Sequence, residues 1–160
     1  MNEFYELTSR EITGIYRLDS EIDYDTYSPH AIIFTLNGIA GKLVVSVASN
    51  RSIRLEISTN KQVANNYDLE FSELVLNKLT KHDELNLFIG ERIKRIRLAR
   101  YNSIKIEGIG FVIQQGVYAG AELQTATHTL LFQNKYDEGG WYDIDDDLAR
   151  IHDKDRWHWL

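Results

Sequence analysis

The chain of 160 residues contains no cysteine, one proline and no long apolar run. Without cysteine it has no disulfides, no thiolate zinc site and no cysteine nucleophile, which suits a reducing compartment. No stretch approaches the roughly 18 consecutive apolar residues that a membrane-spanning helix needs. The acidic N-terminus also lacks the basic and apolar regions of a secretory signal. We therefore expect a soluble, cytoplasmic protein.

The sequence likewise lacks the low-complexity or Ser/Gly-rich tract that would mark a linker between domains. A length of 160 residues suits one well-buried core and is too short for two large domains. We therefore predict a single domain over residues 1–160.

An internal repeat is the most informative feature that is present. Four apolar residues of the first half recur 81 positions later, where Phe4, Leu7, Ile12 and Ile15 correspond to Leu85, Phe88, Ile93 and Ile96. A glycine-punctuated segment and a Tyr-Asp segment then follow in the same order in both halves. A repeat of this length is typical of a duplicated supersecondary unit. We predict two related units, over approximately residues 1–80 and 81–160.

Most of the remaining pattern predicts short antiparallel strands. Residues 31–36 and 42–47 are apolar and β-branched, and they flank a turn with two glycines, which indicates a hairpin. Residues 52–58 alternate polar and apolar side chains, as a strand with one solvated face does. Because the connections are short, we expect antiparallel meanders. Further strands are predicted over residues 103–107, 111–114, 121–125 and 129–133.

Helix signals are scarce and short. The apolar pairs at positions 4 and 7 and at 85 and 88 have the spacing of one helical turn, so each half is predicted to open with such a turn. Residues 12–18 and 93–98 fit neither the helix nor the strand period, and we predict that each is a strand with a bulge.

Two further helices are predicted at the ends of the halves. Ser72 can cap a short linking helix that runs to Leu79, and residues 145–156 allow a C-terminal helix. The predicted fold class is mainly β to α+β: two related antiparallel β-meander units share one core, with a short linking helix and a possible C-terminal helix.

The charge balance favours a basic partner. Twenty-four acidic against eighteen basic residues give a net charge of −6, which opposes nucleic-acid binding by the chain as a whole. One basic run, with Tyr101 inside it, is nevertheless the best candidate for an RNA- or DNA-binding surface. We expect this run to pair instead with the acidic segment 19–25 of the other half. The run comprises Arg92, Lys94, Arg95, Arg97, Arg100 and Lys105.

The strongest surface signal is an acidic and aromatic C-terminal segment that holds all three tryptophans. At a protein interface, rings supply desolvated anchors and carboxylates pair with Lys and Arg. The alternative is that the rings pack into the core while the aspartates face water. The candidate partner-binding residues are Trp141, Tyr142, Asp143, Asp145, Asp146, Asp147, Trp157 and Trp159.

No motif predicts catalysis, a cofactor or a metal. The alternating aspartates from Asp143 to Asp147 do not form an EF-hand loop, because Leu148 and Lys154 occupy the positions that require Gly and Glu. The five histidines lack metal-binding spacing. No dinucleotide fingerprint, P-loop or nucleophile elbow is found. The predicted sets of catalytic, cofactor-binding and metal-binding residues are therefore empty.

These observations predict a non-catalytic acidic protein that neutralises a basic macromolecular partner, most concretely a bacterial toxin-immunity protein. One alternative is a small-ligand-binding or enzymatic β-barrel-like domain, which a deep cavity with convergent polar groups would reveal. Another is an RNA- or DNA-binding module that uses the basic run. A third is an assembly module with exposed apolar strand edges. The oligomeric state stays open.

Overall fold

The computed structural model describes residues 4–20, 27–47, 53–66, 74–101, 104–105, 112–113, 118–134, 140–145 and 157–159. Most of these residues belong to two five-stranded antiparallel sheets. Over the described ranges, no helix is both long enough and apolar enough to cross a membrane.

The first sheet is built from the first half of the chain. Its strands are β1 (Ile12–Ser20), β2 (Ala31–Leu36), β3 (Lys42–Val47), β4 (Ile53–Ser58) and β5 (Leu74–Lys78). The strands β1 to β4 form a meander, and β5 pairs with the other side of β1, which gives the order β4-β3-β2-β1-β5. The hairpin predicted over residues 31–36 and 42–47 is confirmed, as is the strand predicted within residues 52–58.

The second sheet repeats this topology. Its strands are β6 (Ile93–Tyr101), β9 (Tyr118–Thr125), β10 (Thr129–Asn134), β11 (Gly140–Ile144) and β12 (Trp157–Trp159), in the order β11-β10-β9-β6-β12. The remaining strands, β7 (Ile104–Lys105) and β8 (Val112–Ile113), pair with each other. In each large sheet the first strand lies between the second and the last, so the two halves are related meanders as predicted.

Local details of the two halves also recur 81 positions apart. The register between β1 and β2 shifts between Ile12 and Gly14, and that between β6 and β9 shifts between Ile93 and Arg95. A 3-10 turn precedes each of these first strands, at Tyr5–Leu7 and at Glu84–Phe88. The predicted helical turns and bulged strands are therefore confirmed.

The halves meet through reciprocal backbone hydrogen bonds. The N–H of Ser9 donates to the carbonyl of Ile93 at 2.7 Å, and the equivalent N–H of Gly90 donates to the carbonyl of Ile12 at 2.8 Å. Such reciprocity is the property of an isologous contact about a twofold axis. An approximate twofold axis therefore relates the two halves.

A second pair of bonds follows the same rule. The N–H of Ile12 donates to Glu91 at 2.8 Å, and the N–H of Ile93 donates to Arg10 at 3.0 Å. Between these bonds, Glu11 and Arg92 form an antiparallel bridge, and they too are 81 positions apart. The axis thus passes close to this bridge.

The main core lies between the two sheets and draws on both halves. It contains Phe4, Leu7, Ile12, Ile15, Ile32, Phe34, Leu36, Leu43, Val45, Ile53, Leu85, Phe88, Ile93, Ile96, Ala121, Leu123, Leu130, Phe132 and Tyr142. All eight residues of the repeat pattern are members, so the repeat marks positions that face the shared core. That residues 1–160 in full form one domain stays a prediction.

A second apolar cluster covers the outer face of the first sheet. It consists of Leu18, Ala31, Ile33, Val44 and Val63, and the last of these belongs to helix α1 (Asn60–Asn66). This helix begins with a reciprocal cap, since the N–H of Gln62 donates to Thr59 Oγ1 at 3.1 Å and the N–H of Thr59 donates to Gln62 Oε1 at 2.7 Å.

The linking helix predicted from Ser72 to Leu79 is wrong. Residues Leu74–Lys78 form strand β5 and pair with β1 from Tyr16 to Ser20. The open edge of β1 offers this segment a full ladder of backbone hydrogen bonds, which outweighs its weak helical preference. Beyond Asp145, the predicted C-terminal helix lies outside the described residues.

Candidate functional site

Strand β11 carries the largest described group of the predicted partner-binding residues. Because side chains alternate along a strand, Trp141 and Asp143 lie on the outer face of the sheet, and Tyr142 and Ile144 lie on the core face. Trp141 and Asp143 are partly buried, whereas Asp145, directly after the strand, is exposed.

Trp141 stacks on a ring from the other half of the chain. Its centroid lies 5.9 Å from that of Tyr27, with an interplanar angle of 23°. The backbone holds this pair together, since the N–H of Tyr142 donates to the Tyr27 carbonyl at 2.9 Å and Ser28 Oγ donates to the Gly140 carbonyl at 2.6 Å. Tyr27 is 38% exposed, so the stacked rings reach the surface.

The carboxylates of Asp143 on β11 and of Asp145 just after it are oriented by neighbouring residues of the sheet. Asp143 accepts a hydrogen bond from Gln133 Nε2 at 3.3 Å. Asp145 accepts one from the N–H of Thr129 at 2.8 Å, and its second oxygen lies 2.6 Å from Nδ1 of His128. The Asp145 side chain is still 46% exposed. We call Tyr27, Trp141, Asp143 and Asp145 the β11 strip.

Tyr142 is a core residue. It has no exposed surface, and its hydroxyl donates to Asp83 Oδ1 at 3.0 Å. Desolvation by burial, followed by the negative charge of Asp83 and the hydrogen bond to it, raises the pKa of this phenol far above its ordinary value. The sequence left open whether the aromatic residues of the C-terminal segment pack into the core or form an interface. In the structure, Tyr142 packs into the core.

Asp83 belongs to a buried charged network that sequence analysis missed. Arg17 Nη1 donates to Asp83 at 2.8 Å, while its Nε and Nη2 donate to Asp19 at 2.9 and 2.8 Å. Asn77 Nδ2 also donates to Asp19, at 3.1 Å. Arg17, Asp19 and Asp83 are all buried. Through Tyr142, this network connects β1 and β5 of the first sheet to β11 of the second.

A sequence signal for this network was present. Arg17 and Asp19 follow Ile15 at alternate positions of β1, so the strand period directs all three toward the core side. A charged pair in such a row requires buried partners. At the equivalent positions of β6 the chain has Leu98 and Arg100, so the network has no sequence counterpart in the other half.

Of the acidic segment 19–25 that was expected to pair with the basic run, the structure describes only residues 19 and 20, so most of this prediction lies outside the described residues. Asp19 pairs with Arg17 instead. On the second sheet, Arg95 Nη2 and Arg97 Nε donate to Glu122 at 3.0 and 2.9 Å. Arg97 also lies over the ring of Trp159, 3.9 Å from its centroid. Local cross-strand partners thus satisfy this part of the run.

The two C-terminal tryptophans lie away from the β11 strip. Trp157 and Trp159 belong to β12, at the opposite edge of the second sheet. Three strands separate β12 from β11, so at about 4.8 Å per strand the two edges are about 19 Å apart. Asp146 and Asp147 lie outside the described residues.

Within the part of the chain that the structure describes, no group of three or more His, Asp or Glu side chains could hold a metal ion. Comparison of the chain with protein-family models, with curated proteins and with solved structures found no significant match. Function is therefore argued from the side chains and charges described above.

Proposed function

We propose that this protein is a non-catalytic acidic protein that binds and neutralises a basic macromolecular partner, most concretely as a bacterial toxin-immunity protein. The observation that supports the proposal is the β11 strip. It combines two stacked, partly exposed rings with two oriented carboxylates at one edge of the second sheet.

The strip suits a guanidinium or ammonium group of a partner. A cation can lie over the Tyr27 or Trp141 ring while Asp143 or Asp145 accepts its N–H donors. The stack and the backbone bonds already restrict these rings, so little side-chain entropy remains to be lost on binding. The net charge of −6 would also accelerate the encounter with a basic protein.

The setting of the proposal is the bacterial cytoplasm. A chain without cysteine suits this reducing compartment. An immunity protein acts there by occluding a basic surface, and this requires complementary shape and charge but no reacting group.

A nucleic-acid-binding module is the second candidate, because Arg97 lies over Trp159 and Arg95, which shares Glu122 with Arg97, is half exposed. Cations next to an aromatic ring are typical of single-strand binding surfaces. Glu122 compensates both guanidinium groups, so we rank this candidate second. The β-barrel-like alternative requires a cavity enclosed between the two sheets. Among the described residues, the void between the sheets at Phe34, Ala121 and Phe132 measures about 10 Å³, room for no more than about one water, so this alternative has less support.

The first experiment identifies the partner and its effect. The full-length chain is used to capture proteins from its host, and the captured basic protein is then expressed with and without this chain. We expect that protein to arrest growth alone and to be tolerated together with this chain. If no basic protein is captured, or if co-expression does not relieve the arrest, the proposed function is wrong.

The second experiment tests the surface. Asp143→Lys should weaken partner binding at least about tenfold and reduce its salt dependence, because it places a cation where the partner has one. Glu84→Lys is the matched control, since Glu84 is exposed outside the strip and its replacement changes the net charge equally. Equal effects of the two variants would show that total charge, rather than the β11 strip, determines binding.

A further inference from the structure

A polar groove of about 290 Å³ lies where the two halves meet. It contains the bridge between Glu11 and Arg92 that lies near the approximate twofold axis. No residue of the β11 strip lines it. The lining residues are Glu6, Thr8, Ser9, Arg10, Glu11, Asn37 and Arg92.

Backbone carbonyls position the two guanidinium groups of the groove. Arg92 Nη1 donates to the carbonyl of Ser9 at 2.9 Å, and Arg10 Nε donates to that of Glu6 at 3.4 Å. Among the ion pairs of the described residues, none involves Arg10 or Arg92. A carbonyl leaves the positive charge uncompensated, and the remaining N–H groups of each fork suit a carboxylate.

The groove also contains negative charge. Glu6 and Glu11 line it, and neither takes part in an ion pair within the described residues. A simple anion would be attracted by the arginines and repelled by the glutamates. A simple cation would be attracted by the glutamates and repelled by the arginines. A ligand that carries both charges gains from both pairs.

Backbone strain at Ser9 is an independent observation. Ser9 has a φ of +69°, and its equivalent in the other half, Gly90, has a φ of +88°. A positive φ is energetically less favourable for a residue with a side chain than for glycine. Strained residues of this kind concentrate at ligand sites. Ser9 lines the groove, and its carbonyl holds Arg92.

We propose that this groove binds a small zwitterion of the amino-acid or short-peptide class. Arg10 and Arg92 receive the carboxylate, and Glu6 and Glu11 receive the ammonium group. The volume of about 290 Å³ is at the lower end of the roughly 300–1,000 Å³ of small-ligand sites, which suits an amino acid or a dipeptide.

The test is a titration of the ¹⁵N-labelled full chain with ω-amino acids of increasing length, from glycine to 6-aminohexanoate. The signals followed are the amides of Ser9, Arg10 and Arg92 and the Nε–H groups of the two arginines. We expect saturable shifts that are strongest for one length, because the groove fixes the separation of its charges. Acetate, methylammonium and inorganic phosphate at equal ionic strength should bind at least about tenfold more weakly.

Arg92→Gln should weaken the best probe at least about tenfold, because the amide lacks the charge and the fork. Arg54→Gln is the matched control, since Arg54 is exposed on β4 and pairs with Glu56 outside the groove. Thermal unfolding of both variants verifies that they fold. Absence of saturable shifts, equal binding of phosphate or acetate, or equal effects of the two variants would overturn the proposal. None of these outcomes bears on the β11 strip.

Discussion

Tyr142 lies between Trp141 and Asp143, which are on the outer face of the sheet. Its own hydroxyl binds Asp83, a member of the buried network with Arg17 and Asp19. Such a network stabilises only as a complete set, because removal of one partner leaves another charge buried and unpaired. The alternation of side chains along β11 thus divides the predicted acidic-aromatic segment between a core function and a surface function.

The network predicts an alkaline limit to stability. Because the folded state raises the pKa of Tyr142, the unfolded chain loses the phenolic proton first as the pH rises past about 10. The Tyr142 hydroxyl therefore contributes fully to the free energy of unfolding below that pH, and its contribution declines as the pH rises further. Tyr142→Phe should cost about 1–3 kcal/mol near neutral pH, through loss of a hydrogen bond to a carboxylate, and should make the alkaline decline shallower.

Denaturant unfolding between about pH 8 and about pH 11 measures both effects. Tyr5→Phe, at an exposed position, is the control. An alkaline decline of unchanged slope in Tyr142→Phe would contradict this assignment.

Because Ser9 and its equivalent Gly90 both have a positive φ, exchanging serine and glycine at the two positions should change stability in opposite directions. Gly90→Ser should lower the free energy of unfolding by about 1–2 kcal/mol, because a Cβ there meets nothing within 4 Å and only the positive φ opposes it. Ser9→Gly should be neutral or stabilise by up to about 1 kcal/mol. Urea unfolding measures the pair, and a clear destabilisation by Ser9→Gly would show that its φ stores no strain.

At the scale of elements, the signals that sequence analysis used correctly were local. The bulged strands and opening turns follow from apolar spacing within a few residues, and the hairpin follows from its glycines. By contrast, β5 forms because the edge of β1 is open to pairing. This edge is distant in sequence, so the pattern of residues 74–78 could not predict the strand. The pairing of Arg17 with Asp83 likewise spans 66 positions. Helix α1 was missed although Thr59 and Gln62 have the spacing of a capping box.

This capping box yields the prediction at this scale. Thr59→Ala should destabilise the protein by about 1 kcal/mol, because it leaves the N–H of Gln62 without its intramolecular acceptor. Gln62→Ala removes the reciprocal bond, and the double variant should cost less than the sum of the two, since the bonds support each other. Urea unfolding of the three variants checks this, and strict additivity would contradict a coupled cap.

At the scale of the whole molecule, the two halves are held by a shared core, by reciprocal backbone bonds and by the Arg17 network. All three connect residues before Lys81 to residues after it, whereas the connection at Thr80, Lys81 and His82 is exposed. We therefore expect these noncovalent contacts to hold the halves together even when the covalent link between them is cut.

A cut in this connection tests that conclusion. A protease site inserted between Lys81 and His82 should be cleaved in the folded protein, and the two fragments should still elute together in size-exclusion chromatography. Arg17→Leu in the cut protein should weaken their association, because Asp83 then stays buried without its cation. Separation of the fragments without any substitution would show that the halves depend on the covalent link.

Joining the two meanders in one polypeptide has a consequence for how each can change. In a symmetric homodimer of half-length subunits, every mutation would appear twice, and a buried arginine would require two sets of carboxylates. Here the position equivalent to Arg17 in the other half is Leu98, and the position equivalent to Ser9 is Gly90. Each member of these pairs can vary alone, so one copy can keep the scaffold intact while the other acquires new chemistry.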